Sequence, residues 1–316
     1  MSSATGGAIG TLAQQNLMLQ TILQLRGQAN SLQAQVSTGL KSPDYSGLGP
    51  AATQVANLQS AVQHHQAYLD TITTVQQRIN EQSTALTTIQ NLAQKFSQLL
   101  PSGAFNASPS SIQTQAQALL QEVGDFLNTS DGSRYLFSGS LTGTPPFDPT
   151  HLPNPGSLNT ACNQAIPNGY YAGNDVVQKA KVDDNVTVSY GVTADASAIE
   201  NIVRVANYLA NLPAGSPNSN NPADVSAMNQ AATLMTQGIA GMQQIIGTIS
   251  LQSSQLQTVQ QSHQNFINVA QTNIQSLESV DPATAITQLN AVETNLQASY
   301  QTVSALQQLS LVNFLK

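Results

Sequence analysis

The stretch that decides the fold is VSAMNQAATLMTQGIAGMQQIIGTISLQSSQLQTVQQSHQNFINVAQTNIQSL, residues 225–277. It contains no Asp, Glu, Lys or Arg, and no proline occurs between Pro222 and Pro282. Apolar residues nevertheless recur at heptad spacing: Met242, Ile245, Ile249, Leu256, Val259, Phe266, Ala270 and Leu277. This stripe predicts one amphipathic helix, up to about 80 Å long, that packs on another helix. Because neutral amides and hydroxyls flank the stripe, the sequence specifies packing but few ionic pairs.

The composition of the whole chain suits long helices better than a catalytic globule. Only 8% of the residues are charged and 5% are aromatic, and Trp is absent. The net charge of -7 leaves no basic face for nucleic acid. The single cysteine, Cys162, excludes an intramolecular disulfide and a thiolate zinc site. We expect no membrane insertion and no Sec-type signal peptide, since no apolar run approaches ~18 residues and Met1 to Leu12 lacks a cationic region.

Apolar stripes also mark both ends of the chain. After a small, Gly-rich stretch from Ser2 to Gly10, expected to be disordered in an isolated chain, the first helix should stop near Gly39. Asp281-Pro282 should start the last helix. We predict that two sets of residues meet within one subunit, while neighbouring subunits pack around them. These assembly residues are Met18, Ile22, Leu25, Leu32 and Val36 in the first helix and Leu296, Tyr300, Val303, Leu306, Leu309, Leu311 and Phe314 in the last.

The sequence of the middle of the chain predicts three further helices and a hairpin. A second long stripe runs from Val55 to Phe96, and Ser108-Pro109 should cap a third helix that Asp131-Gly132 closes. Two β-rich runs, 176–182 and 186–190, flank Asp183-Asp184-Asn185 and predict a hairpin. A helix carrying Ile199 to Leu209 should follow.

The predicted fold class is therefore mainly α. Long amphipathic helices from both chain ends form a coiled-coil-like rod, and a small α+β domain with the hairpin lies at its tip. The predicted domains are a helical arm at 1–134, a mixed domain at 135–222 and a second helical arm at 223–316.

Few residues suggest chemistry. His65 and His263 each lie on an apolar stripe, and we interpret them as polar interruptions in helical seams rather than as ligands. Asp183-Asp184-Asn185 lacks the spaced ligands of a calcium loop and favours a turn. Nucleophile elbows, phosphate loops and clustered carboxylates are absent from the sequence. We expect no catalytic residue, cofactor or metal.

Several motifs resemble those of the bacterial flagellin family, in particular its hook-associated members at the hook–filament junction. Near the amino end the motif is LQAQVSTGLK (32–41), and in the carboxyl arm they are DPATAITQL (281–289), LQASYQ (296–301) and LSLVNFL (309–315). In the middle, DGSRYLFSG (131–139), PPF (145–147) and YYAGND (170–175) resemble segments of junction proteins. The turn PDYSGLGP (43–50) departs from the Asp-Asp-Pro turn of most relatives, which keeps a filament flagellin as an alternative.

The resemblance implies a secreted, extracellular structural protein of the flagellum. Such a subunit travels through the flagellar type III export channel with the help of an export chaperone, and it polymerises through its terminal helices. Its partners would be further copies of itself, the adjacent hook-associated protein and flagellin. An alternative from another class is a type III secretion tip or translocator protein, which also uses long amphipathic helices. The resemblance gives no role to the Pro-rich segment 145–167.

Overall fold

Long helices dominate the computed structural model, which describes residues 3–100, 108–152, 169–213 and 215–314. The description does not include the side chains of residues 3–12, 15 and 306–314. Cys162 also lies outside the described residues. The elements in chain order are α1 (Ser3–Thr38), α2 (Ala51–Ser97), α3 (Pro109–Leu127), β1 (Gln178–Asp183), β2 (Val186–Tyr190), α4 (Ser197–Ala210), α5 (Pro222–Glu278) and α6 (Pro282–Phe314). The predicted mainly α class with a small β-containing part is confirmed.

The chain divides into two compact units. One comprises Met1–His64 and Phe266–Lys316, and the other comprises His65–Asn265. These divisions fall within α2 and α5 and follow compactness, whereas the domain bounds 1–134, 135–222 and 223–316 follow sequence character and stay a prediction.

The uncharged stretch forms a single helix, as predicted. α5 is 57 residues long, which corresponds to about 85 Å. It begins with Pro222, which loses no intrahelical bond at this position, and the Asn221 side chain accepts a hydrogen bond from the Ala223 N–H at 3.1 Å. The stripe is buried at Met242, Ile249 and Leu256. A helix without a proline therefore continues for as long as it can bury one face.

The predicted stripe of α5 is wrong at one position. Phe266 is 38% exposed, whereas its neighbour Ile267 is only 4% exposed. Leu256 and Ala270, which lie before and after it on the same predicted stripe, are both buried, so the difference is local to Phe266 and Ile267.

The unit His65–Asn265 has a continuous apolar core. α3 packs along α4, and the Ser108 side chain accepts a hydrogen bond from the Ser111 N–H at 3.4 Å, which confirms the predicted cap. The residues buried completely include Ile72, Leu86 and Ile89 of α2, Ile112 and Leu127 of α3, and Ile199, Ile202 and Leu209 of α4. Burying each such side chain stabilises the unit by about 1.5–3 kcal/mol before entropy is subtracted.

The hairpin forms where the sequence predicts it. β1 and β2 pair antiparallel in a register that joins Gln178 to Tyr190 and Ala180 to Val188, with an irregularity between Lys181 and Asp183. Val188 and Tyr190 are buried, whereas Val186 is exposed beside the turn.

Two predicted helix boundaries are wrong. α3 ends at Leu127 and not at Asp131-Gly132, since the Asn128 side chain exchanges two hydrogen bonds with the backbone of Phe147. α1 begins at Ser3, within the stretch Ser2 to Gly10 that the sequence predicts to be disordered. Extending an existing helix by one residue is much easier than nucleating a new one, even through glycine.

Glycines on α5 allow close packing against α4. A Cβ atom at Gly238 would lie 2.8 Å from Ile202 Cγ1 and 3.0 Å from the Ala198 carbonyl oxygen. At Gly247 of the same helix, a Cβ atom would meet nothing within 4 Å.

The substitutions Gly238→Ala and Gly247→Ala should therefore have opposite effects. We expect Gly238→Ala to lower the free energy of unfolding by about 1–3 kcal/mol, because the added methyl overpacks the contact with α4. Gly247→Ala should raise it by about 0.5–1 kcal/mol, because alanine is the better helix former. Urea unfolding of the purified variants, followed by circular dichroism, measures both, and equal effects would contradict the packing described.

Candidate assembly site

The two terminal helices lie against each other within the unit Met1–His64 and Phe266–Lys316. α1 packs along α6, which brings the two predicted sets of assembly residues onto neighbouring helices. Ile22 is buried, Tyr300 is exposed, and the other described members are half-buried: Met18, Leu25, Leu32, Val36, Leu296 and Val303. The side chains of Leu306, Leu309, Leu311 and Phe314 lie outside the described residues. Half-burial means that one pair of helices covers only part of each stripe.

Further apolar side chains of this unit face solvent. On α1, Leu17, Leu19 and Leu23 are 67%, 52% and 66% exposed. On α6, Ile286 and Tyr300 are 44% and 42% exposed. Single exposed leucines are ordinary on soluble proteins, but several on one helix of a packed pair indicate a surface for a further partner. We call Leu17, Leu19, Leu23, Ile286 and Tyr300 the exposed apolar set.

The twelve predicted assembly residues include Tyr300 but not the other four members of this set, three of which lie on α1. Leu17, Leu19 and Leu23 lie beside the stripe formed by Met18, Ile22 and Leu25, and a search for one stripe passes over them. The signal that finds them is the width of the apolar face, because a helix that packs against partners on two sides needs more than one apolar row.

Backbone hydrogen bonds join the turn after α1 to the turn between α5 and α6. The Lys41 N–H donates to the Glu278 carbonyl at 2.7 Å, and the Val280 N–H donates to the Gly39 carbonyl at 2.9 Å. Leu40 and Ser279 form the antiparallel bridge between them. This pairing fixes the register of the two turns relative to each other.

The side chain of Lys41 strengthens this junction. Its Nζ atom donates to the Leu277 carbonyl at 2.7 Å, at the end of α5 where carbonyl groups have no partner within the helix. A cation at a helix C-terminus also interacts favourably with the helix dipole. Gly39 has φ +71°, a left-handed conformation that ends α1 and that other residues adopt at a cost. The motif Ser37-Thr38-Gly39-Leu40-Lys41 therefore has a structural explanation.

Asp281 begins α6 in the same region. Its carboxylate accepts hydrogen bonds from the Thr284 hydroxyl at 2.6 Å and from the Ala283 N–H at 3.1 Å. These two bonds, the hydroxyl first, hold the pKa of Asp281 below its ordinary value.

The turn PDYSGLGP at 43–50 is also ordered by a carboxylate. Asp44 precedes a short 3-10 helix, Tyr45–Leu48, and accepts hydrogen bonds from the N–H groups of Ser46 and Gly47. The Ser46 hydroxyl and then the Gly47 N–H lower the pKa of Asp44. This departure in sequence thus still forms a compact turn before α2.

The DGSRYLFSG motif, in the unit His65–Asn265, is structural as well. Arg78 Nε donates to Asp131 Oδ2 at 2.7 Å, and Phe137 is completely buried. Burial alone would raise the pKa of Asp131, but the hydrogen bonds from Arg78 and from the N–H groups of Ser133 and Arg134, together with the charge of Arg78, outweigh burial and leave the pKa lowered. Gln178 of β1 donates to the Gly139 carbonyl. These contacts attach the loop to α2 and to the hairpin.

The described residues contain no group of three or more His, Cys, Asp and Glu side chains placed to hold a metal ion. Within the same part of the chain, none of the helices has a stretch long and apolar enough to cross a lipid bilayer. The arrangement that the described residues do offer is a pair of terminal helices with further apolar surface.

Comparisons with known proteins agree with this description. Residues 9–142 match the family model of the bacterial flagellin N-terminal helical region. No curated protein sequence matches the chain. A solved structure described as a flagellar hook-associated protein from Vibrio parahaemolyticus aligns with a TM-score of 0.58 and 13% identity, over 72% of this chain and 97% of that one.

Two other solved structures align less closely. Flagellar hook-associated protein 3 from Legionella pneumophila gives a TM-score of 0.44 and 11% identity over 71% of this chain and 97% of that one. FlgL from Xanthomonas campestris gives a TM-score of 0.39 and 15% identity over 72% of this chain and 99% of that one.

Residues 9–142, which contain α2, α3 and most of α1, thus match the bacterial flagellin N-terminal helical region. Over 72% of its length, the chain shares its fold with the Vibrio structure. The resemblance inferred from the sequence motifs is confirmed. That the twelve predicted assembly residues form contacts between subunits stays a prediction.

The start of α6 should be sensitive to acid through Asp281. Because its pKa in the folded chain is lowered, its stabilising effect is present above about pH 3.9 and is lost as the pH falls through the folded value. Thr284→Val removes the hydroxyl donor and should raise the pKa of Asp281, measured by carbon-13 NMR of the carboxyl group. Thr294→Val is the matched control, since that hydroxyl donates to the Asn290 carbonyl. An unchanged Asp281 titration in Thr284→Val would contradict the assignment.

Proposed function

We propose that this chain is a structural component of the bacterial flagellum that joins the hook to the filament by polymerising through its terminal helices. The observation that carries the proposal is the exposed apolar set on an already packed pair of helices. The flagellin match over residues 9–142 and the fold shared with a hook-associated protein support it. No bond is made or broken in this role.

Association would be driven by burial of the exposed apolar set against neighbouring copies. Each fully buried leucine contributes about 1.5–3 kcal/mol, so a few residues repeated at every subunit contact suffice for a stable ring or helical assembly. The low charge density of α1 and α6 leaves few ionic pairs for salt to screen, and contacts of this kind hold over a wide range of ionic strength.

The proposal includes partners and a location. The chain would act outside the cell, reach its position through the flagellar type III export apparatus with the help of a chaperone, and contact the adjacent hook-associated protein and flagellin. A filament flagellin is the second candidate, which the match to a flagellin family model favours. The two differ in position and in number, since a flagellin fills the filament and a junction protein forms only a short segment.

Deletion of the gene separates these candidates. If the chain joins hook to filament, the mutant cells should carry hooks without filaments and release flagellin into the medium, as seen by electron microscopy and immunoblotting. If the chain is the filament protein, hooks and junctions should be normal and the medium should contain no other flagellin.

The exposed apolar set can be tested at single residues. Leu23→Gln should leave the free energy of unfolding of the monomer within about 0.5 kcal/mol, because the side chain is exposed, yet should reduce incorporation of the chain into isolated flagella at least tenfold. Leu251→Gln is the matched control: Leu251 is 68% exposed but lies on α5 in the other unit. Equal incorporation of the two variants would show that α1 does not form the contact.

A further inference from the structure

Two histidines from distant parts of the chain meet inside the unit His65–Asn265. His65 Nδ1 of α2 lies 2.6 Å from His263 Nδ1 of α5, and the rings are arranged edge to face with centroids 4.8 Å apart. His263 Nε2 lies 2.7 Å from the Val182 carbonyl oxygen of β1, and its ring stacks on Tyr68 at 5.4 Å. His263 is 1% exposed, whereas His65 is half-buried.

These contacts determine which nitrogens carry protons. A carbonyl oxygen only accepts, so His263 Nε2 must carry a hydrogen and donate it to Val182. In neutral His263 the Nδ1 atom is then an acceptor, and His65 Nδ1 must donate to it. The neutral pair therefore has one compatible arrangement of hydrogens.

A first added proton fits the same arrangement. It goes to Nε2 of His65, the more exposed of the two rings, and leaves both hydrogen bonds of His263 in place. A second proton has to go to His263 Nδ1. Two N–H groups would then point at each other across 2.6 Å, and two positive rings would lie in contact, one of them fully buried.

We propose that the His65–His263 pair is an acid-sensitive latch between α2 and α5, which binds one proton with its contacts intact and opens when it binds two. The latch differs from the assembly role of α1 and α6, because it lies within one unit of one chain and needs no neighbouring subunit. When it opens, the contact between the two helices and the attachment of β1 through Val182 are both weakened.

The titratable groups near the pair belong to α2 and to the hairpin. On α2 the titratable neighbours are His64 and Tyr68, on the hairpin they are Lys181, Asp183 and Asp184, and α5 carries no other charged residue between Asp224 and Glu278. Tyr68 donates to Asp184 Oδ1 at 2.9 Å, and burial followed by this bond raises the pKa of Tyr68, which stays neutral below pH 10. Tyr68, whose ring stacks on His263, thus connects Asp184 to the pair, and Asp184 Oδ1 lies 3.9 Å from Lys181 Nζ.

The number of protons sets the effect of pH on stability. Two ordinary histidines of an unfolded chain are both protonated well below pH 6.5, whereas the closed latch holds one proton. The unfolded or opened state therefore binds one more proton. Below about pH 6.5, the ratio of the unfolded or opened state to the closed state therefore rises up to tenfold for each unit by which the pH falls.

Hydrogen exchange of the full-length monomer between pH 7.5 and 4.5 tests this directly. We compare the wild-type chain with His65→Gln, whose amide can turn to accept from a protonated His263, and with His64→Gln, which keeps the pair. The measured quantity is the protection factor of the α5 amides near His263, corrected for the intrinsic exchange rate. For each unit by which the pH falls, this factor should decrease up to tenfold more in wild type and in His64→Gln than in His65→Gln. Parallel profiles for wild type and His65→Gln would overturn the latch.

Nitrogen-15 NMR of the histidine rings keeps the proposal testable if His65→Gln does not fold. At pH 7.5 the wild-type chain should show His263 protonated at Nε2 and His65 protonated at Nδ1. Near pH 5, molecules that keep their α5 amides protected should show one charged ring, His65. Two charged rings in protected molecules, or His263 protonated at Nδ1 at pH 7.5, would overturn the proposal.

Discussion

Burial of single apolar stripes on nearly uncharged helices is the constraint on which the rest of this structure depends. A helix such as α5, with neutral amides on its polar side, has few ionic pairs to stabilise it alone and must cover its stripe with other helices. Within the unit His65–Asn265 the stripe is covered, and Met242, Ile249 and Leu256 are buried. In the unit of α1 and α6, one pair of helices leaves most stripe residues half-buried. The incomplete burial is the observation that supports the proposed assembly through this unit.

Polar groups inside the seams give these helices their register. Since ionic pairs are few, hydrogen bonds between side chains of different elements take over this role. Gln76 donates to Gln260, and Gln82, a buried residue, donates to the Leu136 carbonyl. A buried polar group without its partner costs about 1–3 kcal/mol, so a shifted register would be penalised at each such position. The His65–His263 contact belongs to the same set, with the added property that its hydrogen bonds depend on proton number.

Most of the fold could be predicted from sequence because its signals are local. Helix periodicity, the Ser108-Pro109 cap and the two β-rich runs around Asp183-Asp184-Asn185 each act over a few residues. The errors arose where burial or a helix end depends on contacts with other parts of the chain. Ile267 is buried in place of Phe266, and α3 stops early because Asn128 bonds to Phe147. Pairing of His65 with His263, 198 residues apart, leaves no sequence signal beyond a polar residue on each of two apolar stripes.

For the candidate site, the sequence identified the seam residues but not Leu17, Leu19 and Leu23, because a stripe defines where one partner packs and not whether a second one exists.

The central claim is that this chain occupies a short segment between hook and filament. Immunogold labelling of isolated flagella, with antibody raised against the purified chain and viewed by electron microscopy, tests it most directly. The account predicts gold particles confined to a narrow band where the hook meets the filament. Labelling along the whole filament would identify a flagellin instead, and flagella without label would contradict a structural role in the flagellum.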